Sequence, residues 1–374
     1  MDQVKEVRVI CERGFTLIEL MISLVITTVI VAAGYTILTA AHKATIANEQ
    51  AVGTQQNVRM AMELIARDIK LAGFRMLPSP NVPVGGTGSD CAPGGTTAAI
   101  SPTDADATGN TDKGADSLAL VVPKSDPSWT LNGAVPAAGS TSFSTITLSS
   151  ATAVTAMVTE GMKNNSSAYV SIGGVVTVPV TLSSGATITL GTSTDLPVTF
   201  PDKTPVYLLQ CVKYSVGTTT AACGNDGPCL LRKVDSGTDP AVTTNIVDGV
   251  EDLQFAYACD GCNAAIKSGV PDSVIDDWNG NNTFDQADFQ ADRIWQYGTF
   301  DPATIRLVQV NIVARQGRQD QGLGEGNASG ALTAAPLQVS DHLHSADTGY
   351  NPATYKAFRR RLLTRTVDTR NMEQ

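Results

Sequence analysis

Oxygen-bearing side chains recur at a regular spacing between Asp277 and Asp288. Calcium loops of the EF type take oxygen ligands from their first, third, fifth, seventh, ninth and twelfth positions. Here those positions hold Asp277, Asn279, Asn281, Thr283, Asp285 and Asp288. Asn282 stands where glycine is usual, and the last ligand is aspartate in place of glutamate. The spacing predicts a calcium site of modest affinity, and a surface turn that binds no ion is the alternative.

A single carboxylate stands in an apolar segment near the N-terminus. From Phe15 to Ala41, Glu19 is the only residue charged at neutral pH. Because about 20 apolar residues cross a hydrocarbon core, the segment predicts a membrane-spanning helix. A carboxylate there costs about 2.5 to 3.5 kcal/mol on insertion scales, so we expect Glu19 to have a specific partner. Lys5, Arg8 and Arg13 precede the segment and indicate a cytoplasmic N-terminus, with the rest of the chain exported.

The residues around this carboxylate form a motif. Residues 14 to 22 read Gly-Phe-Thr-Leu-Ile-Glu-Leu-Met-Ile after a short leader, and this stretch resembles the N-terminus of type IV prepilins. The resemblance implies that a prepilin peptidase cuts after Gly14 and methylates the new amine of Phe15. It also implies that Glu19 of an incoming subunit neutralises the N-terminus of a neighbour, which makes the carboxylate an assembly signal.

Segments further along the chain carry a second resemblance. Residues 62–74, 245–257, 305–316 and 355–371 are similar to PilW-type minor pilins. This implies a structural subunit that primes pilus assembly at or near the tip. Its partners would be other minor pilins, the major pilin, the inner-membrane assembly platform and a tip adhesin. The J-type pseudopilins of type II secretion share this layout and remain an alternative, as does a membrane-anchored exported binding or redox module.

Cysteine usage fits an exported chain. Without Cys11 of the leader, an even number remains, which favours disulfides: Cys91, Cys211, Cys223, Cys229, Cys259 and Cys262. The pairs 223/229 and 259/262 close the shortest loops, which by elimination pairs 91 with 211, although sequence alone leaves the connectivity open. The Cys-Asp-Gly-Cys stretch at 259–262 also resembles a redox motif or half of a zinc site, but it follows a predicted strand.

Hydrophobic periodicity predicts the elements that position these residues. Apolar positions such as Met60, Leu64 and Ile65 recur at roughly helical spacing and extend one long helix towards Pro78. The prediction is a leader over 1–14, a transmembrane half over 15–41 and an amphipathic half over 42–77. The remainder is rich in Gly, Ser, Thr and Val and predicts a head made of strands at 117–122, 144–148, 168–178, 187–190, 206–216, 230–234, 253–257, 304–315 and 355–366.

The resulting fold class is α+β. By resemblance it is a type IV pilin fold, in which a long N-terminal helix packs on an antiparallel β-sheet head. Residues 78–240 are predicted to form a loop- and β-rich insertion of that head. Residues 241–374 are predicted to form its pilin-like core, which contains the candidate calcium loop 277–288.

Charge and composition disfavour other classes of function. The chain has 36 acidic and 26 basic residues and a net charge of −10, which disfavours nucleic acid as a partner. No set of nucleophile, base and orienting acid is evident, so no enzyme is predicted. His342 and His344 offer metal ligands but fall in a long glycine-rich stretch, where no site is predicted. Arg359, Arg360 and Arg361 are predicted on the last strand, facing solvent or other subunits on alternate sides.

Overall fold

This computed structural model describes residues 16–74, 90–91, 98–105, 113–124, 129–136, 142–160, 162, 168–195, 199–224, 227–235, 242–262, 270–291, 293–295, 300–317, 336–347 and 350–369. The predicted cleavage site at Gly14 and Phe15 lies outside these ranges. The chain divides into two compact units, Met1–Ala51 and Val52–Gln374. The first unit holds the N-terminal part of the long helix, and the second holds the rest of that helix with the head.

The long helix α1 spans Leu17–Leu71 and contains 55 residues. It ends six residues before the predicted boundary, because Gly73 adopts a left-handed φ of 69° that terminates a helix. In the second unit its buried residues follow helical spacing, including Val58, Met62, Ile65 and Ile69. Ile65 is buried as expected, whereas Met60 is 55% exposed.

The other described helices and strands belong to the head. The helices are α2 (Ala151–Thr159), α3 (Thr220–Cys223) and α4 (Pro352–Lys356). The strands are β1 (Ile100–Thr103), β2 (Ser117–Lys124), β3 (Ser142–Thr147), β4 (Ala168–Ile172), β5 (Val176–Ser184), β6 (Thr187–Asp195), β7 (Val206–Gly217), β8 (Cys229–Asp235), β9 (Val242–Asp248), β10 (Val250–Cys259), β11 (Ile305–Arg315), β12 (Gln338–Val339), β13 (His342–Leu343) and β14 (Arg360–Asp368).

Antiparallel sheets build the head. A nine-stranded sheet has the order β1-β2-β7-β4-β5-β6-β3, and β8 pairs with both β7 and β9. A three-stranded sheet has the order β10-β11-β14, and β12 pairs with β13. The pairs are antiparallel, for example β10 with β11 and β2 with β7. A long apolar helix with an antiparallel head confirms the predicted α+β class.

Two apolar clusters form the larger cores. The first joins the buried face of α1 to strands of both main sheets, including Leu120, Phe255 and Val310. The second lies between β3, β4, β5, β6 and α2 and includes Met157 and Ile188. Strands β2, β7 and β8 therefore share a core with β10 and β11, although the sequence assigns them to the insertion.

Two local predictions differ from the structure, and one helix was not predicted. The single strand expected over 168–178 is a hairpin, because Gly173 and Gly174 have φ of 59° and 73° and turn the chain between β4 and β5. The last strand begins at Arg360 instead of residue 355, because the preceding residues form α4. The Asn351 side chain starts this helix by accepting hydrogen bonds from its first turn. Residues 151–159 form α2, whose Ser150 side chain accepts a hydrogen bond from the amide of Ala153.

A buried ionic group joins the second part of α1 to the nine-stranded sheet. The Tyr214 hydroxyl donates to Asp68 Oδ2 at 2.7 Å, and Arg232 Nη2 donates to the same oxygen at 3.0 Å. Asp68 is only 2% exposed. Burial and the neighbouring Asp68 carboxylate raise the pKa of Tyr214 far above its ordinary value, so the hydroxyl stays a donor. This group fixes the rotation of the helix against β7 and β8.

Candidate functional sites

The first unit presents an apolar helical surface. Its large side chains are exposed along the helix, as Leu20, Val29 and Ile37 illustrate. The hydroxyls of Ser23 and Thr27 donate to backbone carbonyls one turn earlier, which satisfies these polar groups within the helix. By length and composition this helix can cross a membrane.

Glu19 lies in the first turn of this helix. Thr16 precedes the helix, and its hydroxyl oxygen accepts a hydrogen bond from the Glu19 amide at 3.3 Å. A carboxylate is favoured at this end, where the helix dipole is positive. The Glu19 side chain is exposed. It is therefore accessible at the start of the apolar segment.

The loop 277–288 folds around its own acidic and amide groups. Asp277 Oδ1 and Oδ2 accept hydrogen bonds from the amides of Gly280 and Asn282. The side-chain amides of Asn279 and Asn281 donate to Asp285, at 3.1 and 2.7 Å. Asn282 has a φ of 61°, the left-handed conformation expected where an EF-type loop carries glycine.

The remaining two predicted ligands have different surroundings. The Thr283 amide and hydroxyl donate to Asn281 Oδ1, which keeps this residue within the exposed network. Asp288 is fully buried. Its Oδ1 accepts from the Trp278 amide at 2.8 Å and its Oδ2 from the Asp285 amide at 2.7 Å. The structure thus gathers five of the six residues on the exposed side and uses Asp288 to close the ends of the loop.

All six cysteines of the head form disulfides, which are 91–211, 223–229 and 259–262. Their Cα atoms are 5.8, 5.6 and 5.8 Å apart, within the normal range. This is the pairing reached by elimination from the sequence. Cys259 and Cys262 are buried beside Asp276. Their carboxylate neighbour makes this a ligand-type group, but while the disulfide is closed neither sulfur is the thiolate that zinc requires.

A second cluster of ligand-type side chains lies where the sequence predicted none. His342 is buried, with Nδ1 2.9 Å from Asp252 Oδ2 and Nε2 2.8 Å from Asp347 Oδ1. The ring of buried His344 lies 4.6 Å from the ring of His342, between centroids. Burial by itself lowers the pKa of His342, but the hydrogen bonds to Asp252 and Asp347 raise it to about 10.

Within the glycine-rich stretch where no site was predicted, β12 and β13 pair, and both imidazoles are buried in the head. The sequence signal was two histidines separated by one residue. Asp252 lies on β10, far away in sequence, so no local spacing connects it to them.

One residue of the arginine cluster, Arg360, differs from expectation, whereas Arg359 and Arg361 are exposed as predicted. Arg360 donates from Nη2 to Glu251 Oε1 at 2.9 Å, and its guanidinium carbon lies 3.4 Å from the centroid of the Tyr355 ring. Arg365 pairs with Glu63 on α1 at 2.6 Å. Arg360 therefore makes its ion pair inside the head, where the sequence predicted contacts with solvent or other subunits.

Comparison with known families covers both ends of the chain. Residues 213–371 match the family described as type IV pilus-assembly protein W, and residues 11–35 match the prokaryotic N-terminal methylation motif. No curated protein and no solved structure matches the chain. The first match contains the three-stranded sheet and both ligand clusters, and the second contains Gly14, Phe15 and Glu19. The head is therefore similar to PilW-type pilus-assembly proteins over residues 213–371, and the methylation motif with its apolar helix marks the chain as a single-pass, membrane-anchored minor pilin that becomes part of the type IV pilus.

Proposed function

We propose that this minor pilin helps to prime pilus assembly and occupies a position at or near the pilus tip. The observation that carries the proposal is the exposed apolar segment 17–41 of α1, whose only carboxylate, Glu19, lies in the first turn of the helix. Such a helix is stable in two surroundings, the bilayer and the packed helices of a filament core. A subunit of this kind acts by assembling, and we propose no catalytic reaction for it.

The steps of assembly follow from the N-terminal residues. We propose that the N-terminus is cytoplasmic, that the prepilin peptidase cleaves after Gly14, and that it methylates Phe15. Glu19 then neutralises the positively charged N-terminus of a neighbouring subunit when the helix leaves the membrane. Other minor pilins, the major pilin and the inner-membrane assembly platform are the proposed partners. A tip adhesin is the proposed cargo of the head.

An in-frame deletion complemented with wild-type, Glu19→Ala or Glu49→Ala protein tests this function. Glu49 is a matched control because it is an exposed carboxylate on the same helix, outside the apolar segment. We expect the deletion and Glu19→Ala to give lost or sparse pili on electron micrographs, while Glu49→Ala restores them. An unpaired buried charge costs about 3 to 5 kcal/mol. The amount of Glu19→Ala protein in the sheared pilus fraction should therefore be at least about a hundredfold below that of the wild type.

Export of a type II secretion substrate is scored in the same strains. Intact export with lost pili supports the proposal. Normal pili with failed export would assign the chain to the pseudopilins, and normal incorporation of Glu19→Ala would remove the proposed role of this carboxylate.

We also propose that loop 277–288 binds calcium. Asp277, Asn279, Asn281 and Asp285 would supply side-chain oxygens and Thr283 its carbonyl, which are the hard ligands that calcium prefers. Asp288 would keep the loop closed, as its two hydrogen bonds to backbone amides suggest. Bound calcium would hold together a loop that packs beside the three-stranded sheet through the 257/290 bridge.

Calcium is expected to stabilise the wild-type head by about 2.7 kcal/mol when its concentration is one hundred times the Kd. Asp277→Ala should lose this gain, because it removes the first ligand of the loop. Thermal unfolding with calcium and with chelator measures the difference. Asp202→Ala is the control, since it removes an exposed carboxylate that binds only the Gly133 amide in the described contacts. Equal shifts in Asp277→Ala and wild type would contradict the proposal.

A further inference from the structure

The His342 cluster has the composition of a transition-metal site. Asp252, His342 and His344 are all buried, and one ligand atom from each lies within 4.8 Å of the other two. Imidazole nitrogen and carboxylate oxygen are the common non-sulfur ligands of zinc in proteins. The exposed loop 277–288 offers only oxygen ligands, so the two clusters differ in the ions they would select.

The distances between the ligand atoms suit a tetrahedral ion. Ligands about 2.1 Å from zinc are separated by roughly 3.4 Å across a tetrahedral angle. Asp252 Oδ2 lies 2.9 Å from His342 Nδ1 and 3.9 Å from His344 Nδ1. These values lie on either side of the tetrahedral separation, so small side-chain shifts would accommodate an ion.

Surrounding groups orient each ligand as they do in known metal sites. A metal-bound histidine normally donates its other ring N–H to a carboxylate or a carbonyl. His342 Nε2 lies 2.8 Å from Asp347 Oδ1, closer than the Gly114 amide nitrogen at 3.3 Å. The Gln254 side-chain amide donates to Asp252 Oδ1 at 2.9 Å, which leaves Oδ2 for the histidines. Both ligands are thus held with one atom facing the cluster.

His344 faces the cluster through Nδ1, the ring nitrogen that lies 3.9 Å from Asp252 Oδ2. The same nitrogen lies 3.3 Å from the Leu337 carbonyl oxygen, which is long for a hydrogen bond. The buried Nε2 atom has no hydrogen-bond partner among the described residues, so the imidazole is held weakly and can shift towards an ion. In the neutral tautomer that carries its proton on Nε2, Nδ1 keeps the lone pair that an ion in the cluster would bind.

We propose that Asp252, His342 and His344 bind one divalent transition-metal ion such as Zn²⁺. The ion replaces the proton between His342 Nδ1 and Asp252, and that proton leaves to solvent. Asp347, whose side chain is 31% exposed, lies at the edge of the cluster and marks the entry side. The bound ion ties the β12–β13 segment to β10 and is a structural site.

Metal titration of the full-length protein in detergent tests this proposal. The protein is stripped with EDTA and titrated with Zn²⁺ by calorimetry and with Co²⁺ by visible absorption. We expect one ion per chain with a tetrahedral Co²⁺ spectrum. His342→Ala and His344→Gln are expected to weaken binding at least about a hundredfold, since loss of an orienting partner alone costs about 10- to 100-fold.

The controls separate this site from others. His42→Ala removes the third histidine of the chain, and Asp277→Ala alters the exposed loop; both should bind Zn²⁺ as the wild type does. Circular dichroism checks folding, and His344→Gln decides the result if His342→Ala fails to fold, because His344 has few bonds to lose. No stoichiometric uptake by wild type, or unchanged affinity in His344→Gln, would overturn the proposal. Loss of Zn²⁺ binding in Asp277→Ala alone would place the ion in the exposed loop instead.

Discussion

Replacing Asp68 with alanine is expected to destabilise the head by about 3 to 5 kcal/mol. The substitution leaves the guanidinium of Arg232 half-buried and the hydroxyl of buried Tyr214 without its acceptor. Removing one partner of a buried ionic group costs more than the pair contributes, because the remaining charge stays desolvated. Asp68→Asn keeps an acceptor oxygen and should cost less.

Urea unfolding followed by tryptophan fluorescence measures this effect, since Trp129, Trp278 and Trp295 all lie in the head. Glu63→Ala is the matched control. Glu63 is a carboxylate on the same helix, but its side chain is 73% exposed where it pairs with Arg365. An exposed pair contributes about 0 to 1 kcal/mol. If Asp68→Ala and Glu63→Ala unfold at the same urea concentration, Asp68 does not lock the helix to the sheet.

Removal of the 91–211 disulfide is expected to cost about 5 kcal/mol. This bond joins residues separated by 120 positions, so it restricts the unfolded chain strongly. Both sulfurs are buried among Ala119, Tyr169 and Leu209. The double substitution of Cys91 and Cys211 by alanine therefore keeps an apolar interior while the crosslink is lost.

The 223–229 disulfide supplies the comparison. Its cysteines are separated by only 6 positions, so the chain-entropy model gives about 2 kcal/mol for the matching double alanine variant. Both variants lose two buried sulfurs, and the main difference is the length of the closed loop. An equal loss in the two variants, or a larger loss from the short loop, would contradict the chain-entropy explanation.

The sequence predicts well those features that depend on local pattern. The apolar run with one carboxylate predicts the first part of α1, and the β-rich composition between turn-forming residues predicts β2, β7 and β11 near their observed bounds. The buried face of the amphipathic half of α1 was harder to predict, because Met60 and Ile65 are both apolar but only Ile65 faces the core. Which side of a helix is buried depends on the strands it meets, and those lie far along the chain.

Features that depend on distant residues were missed for the same reason. In the sequence, Asp68 is one of several charged residues on a polar helix face. Only the folded chain shows that β7 and β8 bring Tyr214 and Arg232 into contact with it. His342 acquires its partner Asp252 only through the packing of β13 near β10. Helix α2 was missed because Ala, Thr and Val are compatible with a strand, and only the Ser150 cap and the Met157 contacts favour the helix.

The sheet order has a consequence for how the chain is delivered across a membrane. Strand β14, the last described strand, completes the three-stranded sheet, and its Val367 enters the same core as Ile65 of α1. If the head is translocated starting from its N-terminal side, the apolar face of α1 crosses the membrane long before β14 does. That face then stays exposed to water until β14 completes the core. A chain truncated before Arg360 would leave β11 as an open edge, which invites aggregation. Expression tags and truncations should therefore begin after Asp368.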